Sequence, residues 1–336
     1  MAFSRQGQVN TDGDRGSMLL RDSLISLAIA HFGHKHSAMD IQQESYRMYG
    51  KVLRQLNEHL DLPDLRLSDC TILTCLICAL RELFFPSGPN HFLKHLQGIE
   101  TMLKLRGAPA APIPLETLVI LHGLRTLSIV SGMFVARPSL FAQEEWKHLQ
   151  PLQLDQDGRI RHNILPILAD CTKFIAARDA VLRSNDPNAR RSLLRQIDNA
   201  RSALDSIRTE WPTNVGLKQT RGRSLGTQMM YNATYICLLD IRQGLEPSLE
   251  YEFLRSFAVQ EIISNLERLS QKPGGVNFSI IRFVVIQVAL HVMGGSGTPL
   301  GRQLVRVLQG PDAAGVEIHI QGSNLLGGMG IGQIFP

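Results

Sequence analysis

The chain has 336 residues, of which 44% are hydrophobic and 19% charged, with a net charge of +5. That balance excludes a disordered, collagen-like or low-complexity protein, and a chain this long buries a core without disulfide or metal staples. Five cysteines are too few, and odd in number, for a disulfide scaffold, which fits a reducing compartment.

In chain order, residues 1–18 are polar and Gly-rich, lack the apolar core of a secretory signal, and read as a flexible segment. An apolar run follows and ends at Gly33, placed to cap a helix. His31, His34 and His36 cluster there. Three imidazoles can hold a metal, but no carboxylate or cysteine close in sequence completes the set. Tyr46, Tyr49, Leu53, Leu56 and Leu60 recur at helical steps and predict an inward stripe. Ser68 is placed to cap a helix over 69–85, which Pro86 ends. Cys75 and Cys78 share one face of it in an apolar setting, with Cys70 a turn away. Cys171 and Cys237 stand alone, so core thiols are favoured over a four-ligand zinc site. Phe92, Leu96, Ile99 and Leu103 stripe the next helix, with Gly107 as its cap, and Pro114 opens another. Residues 115–135 and 279–293 are strongly apolar, but Glu116, His122 and Arg125 interrupt the first and Arg282 the second. Both read as core helices, and no membrane partner is expected.

Residues 150–162 read as a loop between two helical blocks. Beyond it, Ile164, Leu168, Cys171, Ile175, Arg178 and Leu182 form one stripe. Leu193, Ile197, Ala200, Leu204, Ile207 and Trp211 form another. Ten basic and five acidic residues lie between Arg178 and Arg223, a surplus equal to that of the whole chain. The arginines on 188–211 are Arg190, Arg191, Arg195, Arg201 and Arg208. Asp198 and Asp205 are spaced to pair with Arg201 and Arg208, so this is a solvated face rather than a nucleic-acid footprint. A second loop spans 212–226, Gly244 is placed as a cap, 316–320 alternates weakly like a strand, and 311–336 reads as a mostly flexible tail. The expectation is an all-α, irregular bundle of about ten to twelve packed helices over 19–310, with a sub-block break near 150–162.

Catalytic motifs fail on context. Gly294-Gly-Ser-Gly-Thr298 lacks a phosphate-loop lysine, and Gly328-Met-Gly-Ile-Gly332 follows no strand. There is no His-Glu-x-x-His and no Asp-rich metal motif. The residues therefore assign no catalytic, cofactor-binding, metal or DNA-binding position, imply no cofactor, and do not point to an enzyme.

One ordered set of motifs is distinctive. It comprises Ala30-His-Phe-Gly33, Tyr49-Gly-Lys-Val-Leu53, Ser68-Asp-Cys-Thr-Ile-Leu73 and Arg81-Glu-Leu-Phe-Phe-Pro86. After these come His95-Leu-Gln-Gly98, Leu103-Lys-Leu-Arg-Gly107, and Val135-Ala-Arg-Pro-Ser-Leu140 with Trp146 after it. The order resembles the regulatory (middle homology) domain of fungal binuclear zinc-cluster transcription factors over about residues 20–180. The resemblance implies an all-helical domain, action in the nucleus, and control of transcription by a part that holds a ligand or partner and does not read DNA. The DNA-reading module of that family needs six cysteines in two close groups, and none of these residues has that spacing. The implied protein is a transcription regulator without its own DNA-binding domain, controlling metabolic genes, secondary-metabolite clusters among them. Its partners would be a full-length zinc-cluster regulator or the transcription machinery, with a homo- or hetero-dimer and a small apolar ligand also compatible. The rival is a helical small-molecule binder or metabolic enzyme on the same scaffold.

Overall fold

The computed structural model describes residues 11–88, 90–110, 112–152, 155–209, 221–270, 285, 288–289, 291–293 and 299–308. Among them are twelve α-helices, one single-turn 3-10 helix and no strand, which is the all-α class expected. The chain divides into two compact units between Ile113 and Pro114.

The first unit holds α1 (Thr11–Lys35), α2 (Met39–Asp61), α3 (Pro63–Arg66), α4 (Asp69–Phe84) and α5 (His91–Arg106). α1 packs on α2 and α4, and α4 packs on α5. α5 buries Phe92, Leu96, Ile99 and Leu103, the stripe its sequence announces. Ser68 caps α4, its Oγ accepting from Thr71 N at 3.2 Å. Gly107 closes α5 at φ +84° and ψ 163°, a conformation that suits glycine alone.

Three expectations are corrected here. Residues 11–18 are the start of α1 rather than a flexible segment. Gly16 is a contact and not a breaker, since a Cβ on it would lie 3.1 Å from Cys70 Cβ on α4. Gly33 does not end α1, which runs on to Lys35, with Ser37 taking the positive φ of 51°. The lack of a Cβ at Gly33 lets α2 approach, for one there would meet Gln42 Cγ at 3.0 Å, and the Gly33 carbonyl accepts from Ala38 N and Gln42 Nε2. On α2 the buried line is Ser45, Tyr49, Val52, Leu56 and His59, rotated from the stripe expected, and Tyr46 is half exposed.

The second unit holds α6 (Leu115–Phe134), the 3-10 turn Leu140–Ala142, α7 (Glu144–Lys147), α8 (Gln156–Ser184), α9 (Pro187–Thr209), α10 (Arg221–Leu245), α11 (Leu249–Ser270) and α12 (Pro299–Leu308). α10 is central, packing on α8, α9 and α11. Among the described residues, Thr117–Phe134 alone is long and apolar enough to cross a membrane, and 78% of that window is buried inside the protein. The loop expected over 150–162 is shorter, because α8 begins at Gln156 with Asp155 as its cap, accepting from Gly158 N at 2.8 Å. Arg221 to Gly226 begin α10 instead of finishing a loop. Gly244 also lies inside α10, where a Cβ would meet Arg178 Cδ at 3.0 Å. Of the core helix expected over 279–293, only 285, 288–289 and 291–293 are described, and Val285, Val288, Ala289 and Val292 there are buried. Residues 212–220, the alternating 316–320 and the 311–336 tail lie outside the described residues.

Candidate functional site

The motifs that carry the resemblance converge on a buried polar knot in the first unit. Arg81 and Glu82 stand side by side on α4, 1% and 2% exposed. The Arg81 guanidinium lies over the Tyr49 ring at 3.9 Å and the Tyr46 ring at 4.9 Å, two aromatic faces from α2. Such a desolvated cation–π contact contributes about 2 kcal/mol. Nη2 of Arg81 also donates to Ser45 Oγ at 3.4 Å, while Nε and Nη1 have no hydrogen-bond partner. Aromatic faces and the adjacent carboxylate therefore compensate this charge more than hydrogen bonds do. Burial pulls the Arg81 pKa down, and Tyr49, Glu82 and Tyr46 oppose it.

The knot extends to α5. Tyr49 Oη lies 3.2 Å from His95 Nε2. Burial holds His95 below its ordinary value. Burial likewise raises the Tyr49 phenol, so it does not ionise. Glu82 accepts from Ser87 N at 2.8 Å and from Ser87 Oγ at 2.7 Å. Arg106 at the end of α5 pairs with Asp69 at the start of α4.

Ser87, His91 and Glu82 deserve a chemical test, because serine, histidine and carboxylate together suggest acyl transfer. Ser87 Oγ is 3.0 Å from His91 Nδ1, and Glu82 Oε2 is 3.8 Å from that same nitrogen. A triad needs the histidine to bridge serine and acid through its two different nitrogens. Here the hydroxyl donates to the carboxylate directly and no relay exists. The knot joins α2, α4 and α5, and its chemistry is structural.

The second unit repeats the pattern. Ser139 of the Val135–Leu140 motif caps the 3-10 turn, pairs with Ser128 Oγ at 2.7 Å and donates from its N–H to Thr172 Oγ1 at 2.9 Å. Phe141 and Trp146 are buried against each other edge to face. Arg125 is fully buried on α6 and donates to the Lys147 carbonyl at 3.2 Å. No carboxylate among the described residues pairs with it, and its Nε and Nη1 are unpartnered. Burial pushes Arg125 down to about 10. His122 and His162 lie beside it with ring centroids 5.4 Å apart, and burial, then Arg125 and His122, push His162 down to about 4.

The other candidates disperse. His31, His34 and His36 are exposed, the first two in the last turns of α1 and His36 just beyond it, and the His34 ring rests on Phe85. No group of three or more metal-binding side chains forms among the described residues. Cys75 and Cys78 are buried core thiols, pushed by burial up to about 12. Cys171 and Cys237, far apart in sequence, meet in the second core and hydrogen-bond. On α9, Asp198 pairs with Arg242 of α10 at 2.6 Å, and Asp205 accepts from Tyr231 Oη at 2.7 Å. Those acids reach across to α10, which corrects the pairing expected along the helix. Arg190, Arg191, Arg195 and Arg208 are exposed, as a solvated face requires.

Arg81 and Glu82 had no role in the sequence reading beyond their place in a motif. The available signal was a charged pair inside the apolar helix 69–85, which solvation alone would not leave there.

The model of the fungal specific transcription factor domain matches residues 9–281, and the chain belongs to that family. It is a family of transcription regulators and not of enzymes. Neither a curated protein nor a solved structure matches the chain.

Proposed function

We propose that the chain regulates transcription in the nucleus through protein contacts and a small, largely apolar ligand, and that its targets are metabolic genes, secondary-metabolite clusters among them. The family match across 9–281 carries the reading. Residues 19–310 are its working body, and direct DNA contact belongs to another module or partner.

The surface of α11 supports the protein contacts. Leu249, Phe253 and Phe257 repeat every fourth residue and are 85%, 71% and 58% exposed. Exposed Glu246, Glu250 and Glu252 lie around them. Clustered exposed aromatic surface marks interaction sites in soluble proteins. The partners that fit are a full-length zinc-cluster regulator, the transcription machinery or a second copy.

The test is a transcript profile of a deletion strain against its parent, with a fluorescent fusion to report location. A coherent set of genes changing level, with the fusion in the nucleus, supports the reading. Steady transcripts alongside a lost or accumulated metabolite would overturn it in favour of a helical binder or enzyme.

A further inference from the structure

A cavity of about 250 Å³ lies in the first unit among α1, α2 and α3. Met18 and Leu19 of α1, with Leu62 and Leu65 at the α2–α3 corner, form its apolar wall. Gln55 and His59, one turn apart on α2, form its polar wall. Each of these two side chains carries a buried atom without a hydrogen-bond partner, Gln55 Oε1 and His59 Nδ1. His59 is 8% exposed. Buried polar atoms left unpaired are rare in folded proteins, and each costs about 1–3 kcal/mol. Two on the wall of one cavity ask for a shared partner.

The chemistry of that partner follows from the lining. An amide oxygen only accepts, whereas imidazole Nδ1 donates or accepts according to its tautomer, so a hydroxyl can satisfy either atom. Arg15 and Glu58 add one charge of each sign to the lining, which favours a neutral molecule over an ion. The volume far exceeds the roughly 30 Å³ share of a single water. We infer that this cavity is a ligand site for a small neutral molecule with an apolar frame and one or two hydroxyl groups. The hydroxyl faces Gln55 and His59, and the frame lies against Met18, Leu19, Leu62 and Leu65. The site gives the regulator reading its ligand and rests on that reading for its biological use, while the binding itself does not.

Phenol and toluene share a ring and differ by the hydroxyl, so they make a matched pair of probes. Each is titrated calorimetrically into the full chain. Phenol is expected to bind about tenfold or more tighter than toluene. Gln55→Leu removes one of the two unpartnered atoms, keeps the helical far-UV signal and reduces the preference, His59 remaining as a partner. Met18→Phe, at a partly exposed position on the cavity wall, weakens both probes. Equal binding of the two, no phenol binding up to its solubility limit, or a preference undiminished in Gln55→Leu overturns the site and leaves the cavity to water. Steady transcripts in the deletion strain would sink the regulator reading and leave a phenol preference standing, so the two failures are distinct.

Discussion

Tyr49 makes two separable contributions to the polar knot, and two substitutions divide them. Its hydroxyl pairs with His95 at 3.2 Å, and its ring lies under the Arg81 guanidinium at 3.9 Å. Tyr49→Phe keeps the ring and leaves the buried side of His95 without its partner, which costs about 1 kcal/mol net. Tyr49→Leu loses the same hydrogen bond together with the aromatic face. A buried cation–π contact contributes about 2 kcal/mol, and the smaller side chain leaves space worth about 1 kcal/mol more. The expected costs are therefore about 1 kcal/mol for Tyr49→Phe and about 4 kcal/mol for Tyr49→Leu. Urea unfolding of the full chain followed by far-UV circular dichroism reads both, at an unchanged denaturant slope. Amide exchange should localise the loss of protection to α2, α4 and α5. Should Tyr49→Leu cost no more than Tyr49→Phe, the ring does not hold Arg81 and the account of the knot is wrong.

Four further outcomes follow from local geometry. Ser68→Ala removes the α4 cap and should cost about 1 kcal/mol by the same urea assay. Gly132→Ala would place a Cβ 2.7 Å from the Arg137 carbonyl and should cost about 1–3 kcal/mol, whereas Gly123→Ala, with nothing within 4 Å, should gain about 0.5–1 kcal/mol. Arg125→Met replaces a buried charge that no carboxylate among the described residues compensates, and its melting temperature should equal or exceed that of the parent. His162 sits near 4 in the folded chain against an ordinary 6.5, so the stability it contributes is full above about pH 6.5 and is lost as pH falls toward 4. His162→Gln should flatten the acid side of the stability curve across that window, and an unchanged slope would refute the assignment.

The helices were readable because core helices need apolar residues at a period near 3.6, and α5 and α9 show it without interruption. The Ser68 cap was readable because a cap is a local event within four residues. The glycines were not. Gly16, Gly33 and Gly244 look like breaks in a one-dimensional pattern, yet each is small because Cys70, Gln42 or Arg178 arrives there from another helix. The rotated face of α2 misled for a related reason, since Tyr46 counts as apolar in a periodicity but rests half exposed beside a cation. The polar knot was visible as a motif and invisible as an arrangement. Tyr49 and His95 are 46 residues apart, and only the packing of α2 and α5 brings their polar atoms together. Asp198 finds Arg242 in the same way, across 44 residues.

The cysteines give the experimenter an unplanned handle. Cys75, Cys78, Cys171 and Cys237 are buried, whereas Cys70 is partly open to solvent. Alkylation requires the reagent to reach the sulfur, and burial denies it access at the four interior positions. A maleimide dye should therefore attach to the native chain at Cys70 alone, giving a site-specific label without mutagenesis. The remaining thiols become reactive only as the helices around them open. The stoichiometry of labelling, from one towards five, is then a direct gauge of how much of the chain has come apart.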